Sequence, residues 1–440
     1  MAAVSVTLFG PGIQSGIAAP SPEAGTASSP RASDSGESPA RLHAEVGAGT
    51  LLEKHGVHPV CPQCDAEIVT EKAGGSAPLS SSAPAGYGPG DLSAAYSLPA
   101  TSTSTATIAI IDAGVDATLK HDLATYRSTF GLPACSVASG CLTLKNYTGG
   151  AQPAPQSSAQ GAAAEEAVAE ETSLDLDVAS ASCPSCRLLE ISVPWQDSQD
   201  NNDVTTRDFA KAVNLAVSDG ASAVSVSYGF SADVTNTHGY DLSAFTHKGV
   251  AITASAGDIG FNGGIHQSWP SDLPSVISVG GVTLPDSGSP SAWTLGGSGC
   301  ETDFPAATGQ PAAVTAACGH HRSATDVSAD ADPSTGVAVF DTDAPGSGVP
   351  DRWIIAGGTS ASAPYIAGLF ARADHLAPVN GPMSLYSAPA ADFEDVTTGN
   401  NEIYHACADY TGISASVCNA GPGWDGPTGL GIPDGLGAFS

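Results

Sequence analysis

At 440 residues the chain has room for one large or two ordinary domains with an ample core. It carries 14 Lys and Arg against 45 Asp and Glu, a formal net charge of −31, which argues against nucleic acid and anionic membranes as partners. No apolar run reaches the length of about 18 residues that a membrane span needs, and the acidity suits a secreted protein or one that works in acid, where carboxylate charge is partly titrated away.

The ten cysteines fall into close pairs: Cys61/Cys64, Cys135/Cys141, Cys183/Cys186, Cys300/Cys318 and Cys407/Cys418. An even count in short loops reads as local disulfides and an oxidising compartment. Zinc is the competing reading for the two C-x-x-C pairs at Cys61 and Cys183, but further ligands at zinc-site spacing are not evident. Export is inferred from these features. The N-terminus itself lacks the basic start and long apolar core of a signal peptide, and Ile13 to Ala19 is too weak to serve as one.

Residues 1 to about 85 are rich in Ala, Gly, Ser and Pro. Only Arg41 to Val69 has enough apolar residues to fold, with Leu51, Leu52, Val57, Val60 and Ile68. Gly74 to Ala85 has the composition of a linker. After Tyr87 the pattern changes. Thr107 to Ile111 is a buried-strand run, Glu165 to Ser180 a helix, Leu188 to Val193 a strand, Asp208 to Ser218 a helix and Ala223 to Tyr228 a strand. A helix around Asp241 to His247 precedes the strand Val250 to Ser255. Val276 to Val279 and Trp353 to Ile355 are further strands, and a helix follows from Pro364 to Leu376. Strands alternating with helices predict an α/β fold, a mainly parallel sheet flanked by helices on both faces. Active sites of such sheets lie at the carboxyl ends of the strands.

One such end carries Gly357-Gly358-Thr359-Ser360-Ala361-Ser362-Ala363-Pro364. A serine at a strand-to-helix turn sits beside the N–H groups of the first helical turn, which favour negative charge. That suits a nucleophile passing through an oxyanion. A glycine turn with a serine N-cap is the plainer reading. The Gly-Thr-Ser-x-x-x-Pro block, shared with subtilisin-like folds, raises the question of the base. A subtilisin would offer His-Gly-Thr. Here His-Gly occurs at His55 and His238 only, without the Thr. Asp112, on a strand like the subtilisin aspartate strand, is then expected to be structural or placed by fold alone.

A carboxylate base is the alternative. Glu171 and Asp175 stand at i and i+4 on one helix face. A solvated acidic face is the competing view, since Glu165, Glu166, Glu170 and Asp177 are nearby. In acid, an imidazole with a pKa near about 6.5 is protonated and cannot accept the serine proton, whereas a Glu near about 4.3 still can. A second carboxylate can hold a shared proton and orient the first. Asp258, just after the strand Val250 to Ser255, either opens a turn or, protonated, donates a hydrogen bond to an oxyanion.

These elements resemble the sedolisins, or serine-carboxyl peptidases, over Tyr87 to Phe439. The resemblance rests on Tyr87 to Leu92, Glu171-x-x-Leu174-Asp175, Ser225 to Gly229, Ser255 to Asp258, Asp326 to Ser328 and Gly357 to Pro364. It implies a subtilisin-like fold and a secreted endopeptidase acting in acid on polypeptides, expected as a monomer with no nucleic-acid or membrane partner. By the same resemblance Ser360 is the nucleophile, Glu171 the general base and then acid, and Asp175 orients Glu171. Asp258 and the Ser360 N–H form the oxyanion hole. Ser362 and Glu170 fit less well. Tyr228 stands where many relatives carry Trp, so altered subsite packing is expected. Near the C-terminus, Glu394 to Thr397 and Ala420 to Asp425 resemble the family's calcium site. Asp395 and Asp425 would supply carboxylates and Val396, Gly421 and Gly423 carbonyls to one Ca2+ ion. Residues 1–85 occupy the place of a removable prosegment and linker, short for the family, with cleavage expected between about Gly74 and Tyr87. Residues 86–440 form the peptidase domain. Inactive peptidase-like binding and neutral subtilisin-like catalysis are the rival functions.

Overall fold

The structure is a computed structural model, and it describes residues 56–61, 63–70, 83–198, 203–231, 241–261, 268–342, 352–373 and 379–440. Most of the expected linker and the whole chain before Gly56 lie outside these residues.

The centre is a sheet whose strands run in the spatial order Ser291–Ala292, Ile277–Thr283, Ala251–Ser255, Ala223–Val226, Thr107–Ala113, Arg187–Val193 and Leu142–Asn146. Val327–Asp330 also pairs with Ile277–Thr283. All these pairings are parallel except that of the short edge strand Ser291–Ala292. Ile108, Ile110 and Ile111 on the middle strand are fully buried, each contributing about 1.5–3 kcal/mol. Burial on both faces explains the unbroken apolar runs.

Helices flank the sheet. Thr359–Ala373 lies against Ala223–Val226, Ala251–Ser255 and Ile277–Thr283, and it packs closely on the long helix Ala159–Ser182. Asp203–Ser218 covers Arg187–Val193 and its neighbours. The long helix starts at Ser158, whose hydroxyl accepts a hydrogen bond from Gly161 N at 3.1 Å, an ordinary N-cap. Every residue from Glu171 to Cys183 is buried, so this stretch has no solvent face. Asp175 and Asp177 are therefore not part of a solvated stripe. Asp177 is buried and accepts from Phe340 N at 3.1 Å, while Glu170 pairs with Arg352 at 3.1 Å.

A second, four-stranded antiparallel sheet has the order Gly56–Pro59, Glu67–Thr70, Arg352–Gly357, Val337–Asp341. It joins the segment around Cys61 to the strand that ends just before Ser360. All ten cysteines form the five expected disulfides, which leaves no thiolate for zinc. Among the described residues no helix is long and apolar enough to cross a membrane. Expected strands and helices overlap the observed ones, though the helices starting at Ala159, Asp203 and Thr359 begin more than a turn before Glu165, Asp208 and Pro364. The helix Leu119–Thr129 and the strands Leu142–Asn146, Val327–Asp330 and Val337–Asp341 had no clear sequence signal.

Candidate active site

Ser360 is the second residue of the helix Thr359–Ala373, directly after the strand Arg352–Gly357. Gly358 makes the turn between them at φ +95°, and a Cβ there would strike Asp65 O and Asp258 Oδ2. Pro364 has no N–H to return to the Ser360 carbonyl. Ser227 Oγ lies 3.4 Å from that carbonyl instead. The Ser360 hydroxyl donates to Ser227 O at 3.1 Å, and the Ser360 N–H, one of the free donors of the first turn, donates to Asp65 O at 2.8 Å.

The tertiary fold gathers the expected carboxyls around this serine. Glu171 and Asp175 are fully buried. Burial first, and then the charge of Asp175, holds the Glu171 carboxyl well above its ordinary value; Asp112 and Asp65 add to the rise and the Ser360 hydroxyl opposes it. Neither Glu171 oxygen has an aligned hydrogen-bond partner. Catalytic hydrogen bonds are often loose before substrate is fully seated. Burial, followed by the charge of Asp112, also raises Asp175 well above the usual range. The Ser227 hydroxyl lies 2.9 and 2.8 Å from the two Asp175 oxygens and fixes that carboxyl in place.

Asp258 Oδ1 accepts from Thr359 N and Thr359 Oγ1, both at 2.8 Å, and so caps the Ser360 helix. Its Oδ2 is sealed from water without a partner, beside the carbonyl that Ser360 N–H holds. Burial first, then the charges of Asp65 and Glu67, raise this carboxyl well above the carboxylate range, against the two Thr359 donors. A protonated Oδ2 is thus available as a donor.

Asp112, expected to be structural or placed by fold alone, is buried near the end of the middle strand, and its charge acts on Glu171 and Asp175. Burial raises its own carboxyl to about 7, with Thr172 opposing. Tyr228, expected to alter subsite packing, forms a backbone bridge with Cys64. Its ring is fully buried against Phe209 and Phe230, and its hydroxyl accepts from Ala113 N at 3.2 Å, beneath the carboxyl cluster. Ser362 is occupied elsewhere, donating to Asp330 O at 3.1 Å.

Histidines stand apart from this cluster among the described side chains. His121 packs edge-on to Phe340, His247 meets Asn214 at 3.2 Å and His321 meets Phe304 O at 3.3 Å. His55 and His238 lie outside the described residues.

Residues 103–386 match the Subtilase family. The chain belongs to that family. This subtilase is 30% identical to kumamolisin of Bacillus sp. (strain MN-32) over 393 residues, which is 81% of this chain and 63% of that protein. It is 28% identical to sedolisin of Pseudomonas sp. (strain 101) over 257 residues, 51% of this chain and 42% of that protein. It therefore spans less than two thirds of the length of either relative. A solved structure of Pseudomonas sedolisin, described as a serine-carboxyl proteinase complexed with two molecules of pseudo-iodotyrostatin, aligns with a TM-score of 0.62 at 25% identity. That alignment covers 79% of this chain and 95% of the other. The subtilase is thus similar to kumamolisin and sedolisin in sequence and to sedolisin in fold.

The C-terminal residues expected to bind calcium also converge. Gly423 N donates to Asp395 Oδ2 at 2.9 Å and Gly421 N to Asp425 Oδ2 at 2.9 Å. Thr428 Oγ1 joins Asp425 Oδ1 at 2.9 Å to Val396 O at 3.5 Å. Asp425 is almost wholly buried, and burial, with the Asp395 charge adding, pushes its carboxyl up to about 7. Asp395 and Asp425, each held by a glycine N–H, and the Val396 carbonyl offer oxygen ligands of the kind a hard divalent cation takes.

Proposed function

We propose that this chain is a serine-carboxyl endopeptidase that works in acid. The observation that carries the reading is the buried grouping of Ser360, Glu171, Asp175 and Asp258, in which a carboxyl stands where a histidine would otherwise be sought. Ser360 Oγ attacks a peptide carbonyl carbon while its proton passes to Glu171, which acts as base when the Glu171–Asp175 pair carries one proton rather than two. Asp175, itself held by Ser227, orients Glu171 and shares its proton. The Ser360 N–H and protonated Asp258 stabilise the oxyanion. Glu171 then returns the proton to the leaving amine, and water, activated by Glu171, hydrolyses the acyl ester. Asp112 supports the pair from below by keeping its proton affinity high.

Acid action follows from the same groups. An ionised Asp258 would repel the oxyanion it has to bind, so activity falls as pH rises. Buried acidic groups and short-range disulfides support secretion as the setting. Asp395 and Asp425, with the carbonyls of Val396, Gly421 and Gly423, would hold one Ca2+ ion that ties down the C-terminal loops without entering the reaction. Residues 1–85 act as a prosegment and linker ahead of a peptidase domain at 86–440. The direct test is hydrolysis of a mixed peptide library at pH 4 by the native chain and by Ser360→Ala and Glu171→Gln. Loss of hydrolysis in both variants is expected. A fully active variant, or a native rate that climbs toward neutrality, would sink the assignment in favour of an inactive binding protein or a neutral enzyme.

A further inference from the structure

The segment Gln63 to Glu67 lies across the active site in the manner of a bound peptide. Gly229 N donates to Gln63 O at 2.9 Å and Asp65 N donates to Ser227 O at 3.3 Å, so these residues add an extended strand beside Ser227-Tyr228-Gly229. On the other side of Asp65, Glu67 and Ile68 pair with Gly357 and Ala356. Between these two anchors the Asp65 carbonyl accepts from Ser360 N–H at 2.8 Å, beside Asp258 Oδ2. One carbonyl of the whole segment therefore occupies the oxyanion position, and the bond that follows it joins Asp65 to Ala66.

The side chain before that bond enters a small pocket. Ser255 Oγ donates to Asp65 Oδ2 at 2.5 Å. Gly229 gives the space: a Cβ on it would come within 2.8 Å of Asp65 Oδ2 and 3.0 Å of Oδ1. Gly257 and Ser268 complete the wall, and a cavity of about 390 Å³ opens beside them. The Cys61–Cys64 disulfide restrains the strand just ahead of Asp65. The carboxyls facing Asp65 are Asp258 and Glu171, on both of which the Asp65 charge acts, and Glu67 also acts on Asp258.

Resting on the peptidase reading, we infer that the chain's own Asp65–Ala66 bond is a substrate of Ser360, and that the pocket of Ser255, Gly229 and Gly257 selects a small, uncharged carboxyl side chain before the scissile bond. Ser360 Oγ bonds to the Asp65 carbonyl carbon and its proton goes to Glu171. The bond to Ala66 nitrogen breaks as Glu171 returns that proton, which frees Ala66 as a new amino terminus. Water then splits the ester, leaving an Asp65 α-carboxyl and the regenerated serine. The disulfide partners both precede the cut, so no covalent link retains the released piece. Burial raises the Asp65 side chain to about 7, which keeps it neutral in acid and lets it sit among other carboxyls. At higher pH its charge would face Asp258 and Glu171, and the segment would fit poorly. This places the cut ahead of the Gly74 to Tyr87 stretch expected from composition.

The test is to hold the full chain at neutral pH, shift it to pH 4, and read the new amino terminus by mass. Native chain should yield Ala66, and Ser360→Ala should stay intact at that bond. Asp65→Asn, which keeps a neutral side chain of the same shape, should be cut within about threefold of the native rate, and Asp65→Lys at least about 100-fold more slowly. To separate recognition from folding, the acid-activated enzyme is given a synthetic peptide of residues 60–70 and its Asp65→Lys counterpart. Cleavage of the first after Asp and sparing of the second support the assignment. Active enzyme that leaves the Asp65–Ala66 bond intact in both chain and peptide, or cuts both peptides equally, overturns it and leaves the peptidase reading standing. A chain that hydrolyses nothing in a mixed peptide library overturns both.

Discussion

Two groups of buried carboxyls solve the same problem differently. Asp326 is fully buried and is matched by an equally buried Arg322 at 2.6 Å, with Tyr386 also donating to it at 2.8 Å. Glu171, Asp175 and Asp258 are buried without such a partner, and the charges nearest them are other carboxyls. A buried charge is tolerated when it is paired and hydrogen-bonded, and is otherwise neutralised. The first group is therefore structural. The second needs protons, and protons on these groups are what the proposed chemistry uses.

The comparison breaks most sharply at the reacting atoms. Ser360→Ala or Glu171→Gln should lower peptide hydrolysis at pH 4 by about 10⁴-fold or more, read as kcat/KM. Removing one half of the structural pair should act on folding instead. Arg322→Ala should cost about 3–5 kcal/mol of stability by denaturant unfolding, because it strands Asp326; an unchanged midpoint would show the pair to be dispensable. Asp258→Ala should lose about 10²–10³-fold in kcat with little change in KM. Asp258→Asn, which keeps a donor at every pH, should lose less and extend activity upward in pH. An unshifted pH profile in the Asn variant would remove Asp258 from the oxyanion hole.

Stability should follow the unpaired group. Asp65 and Asp112 are raised to about 7 in the folded chain, and Glu171, Asp175 and Asp258 are also raised. Their unfolded values are the ordinary ones near about 4. The folded chain thus holds protons that the unfolded chain releases, so stability is full below about pH 4 and declines as pH rises toward about 7. Melting of Ser360→Ala, chosen to avoid self-digestion, should occur at a higher temperature at pH 4 than at pH 7. A smaller effect is expected at the C-terminal site. A chelator should lower the melting temperature by several degrees if Asp395 and Asp425 hold Ca2+, and no change would count against the ion.

Much of the site was legible in the chain. Glu171 and Asp175 at i and i+4, a serine after Gly-Gly-Thr, and an Asp after an apolar strand are local patterns with local chemical reasons. What escaped was set by long-range packing. Asp112 reads as structural on a strand like the subtilisin aspartate strand, and its effect on Glu171 and Asp175 follows only from the fold that brings them together. Tyr228 is read as altering subsite packing only through the resemblance, and the packing of its ring on Phe209 is set by the fold. Asp65 sits in a short polar stretch with no periodic signal. Its position depends on pairing with residues 227–229 and 356–357, which are 160 or more positions away.

The sequence alone showed the five disulfide pairs and the alternation of strands and helices through spacing and short apolar runs, while Ser360, Glu171, Asp175 and Asp258 stood out as candidates through the sedolisin resemblance. Only the tertiary structure decided that these acids are buried together, with no cationic side chain among the described residues paired to them. It also decided that the chain's own Asp65 carbonyl meets Ser360 N–H. Burial and long-range strand pairing are properties of the packed whole, and no local stretch of sequence encodes them.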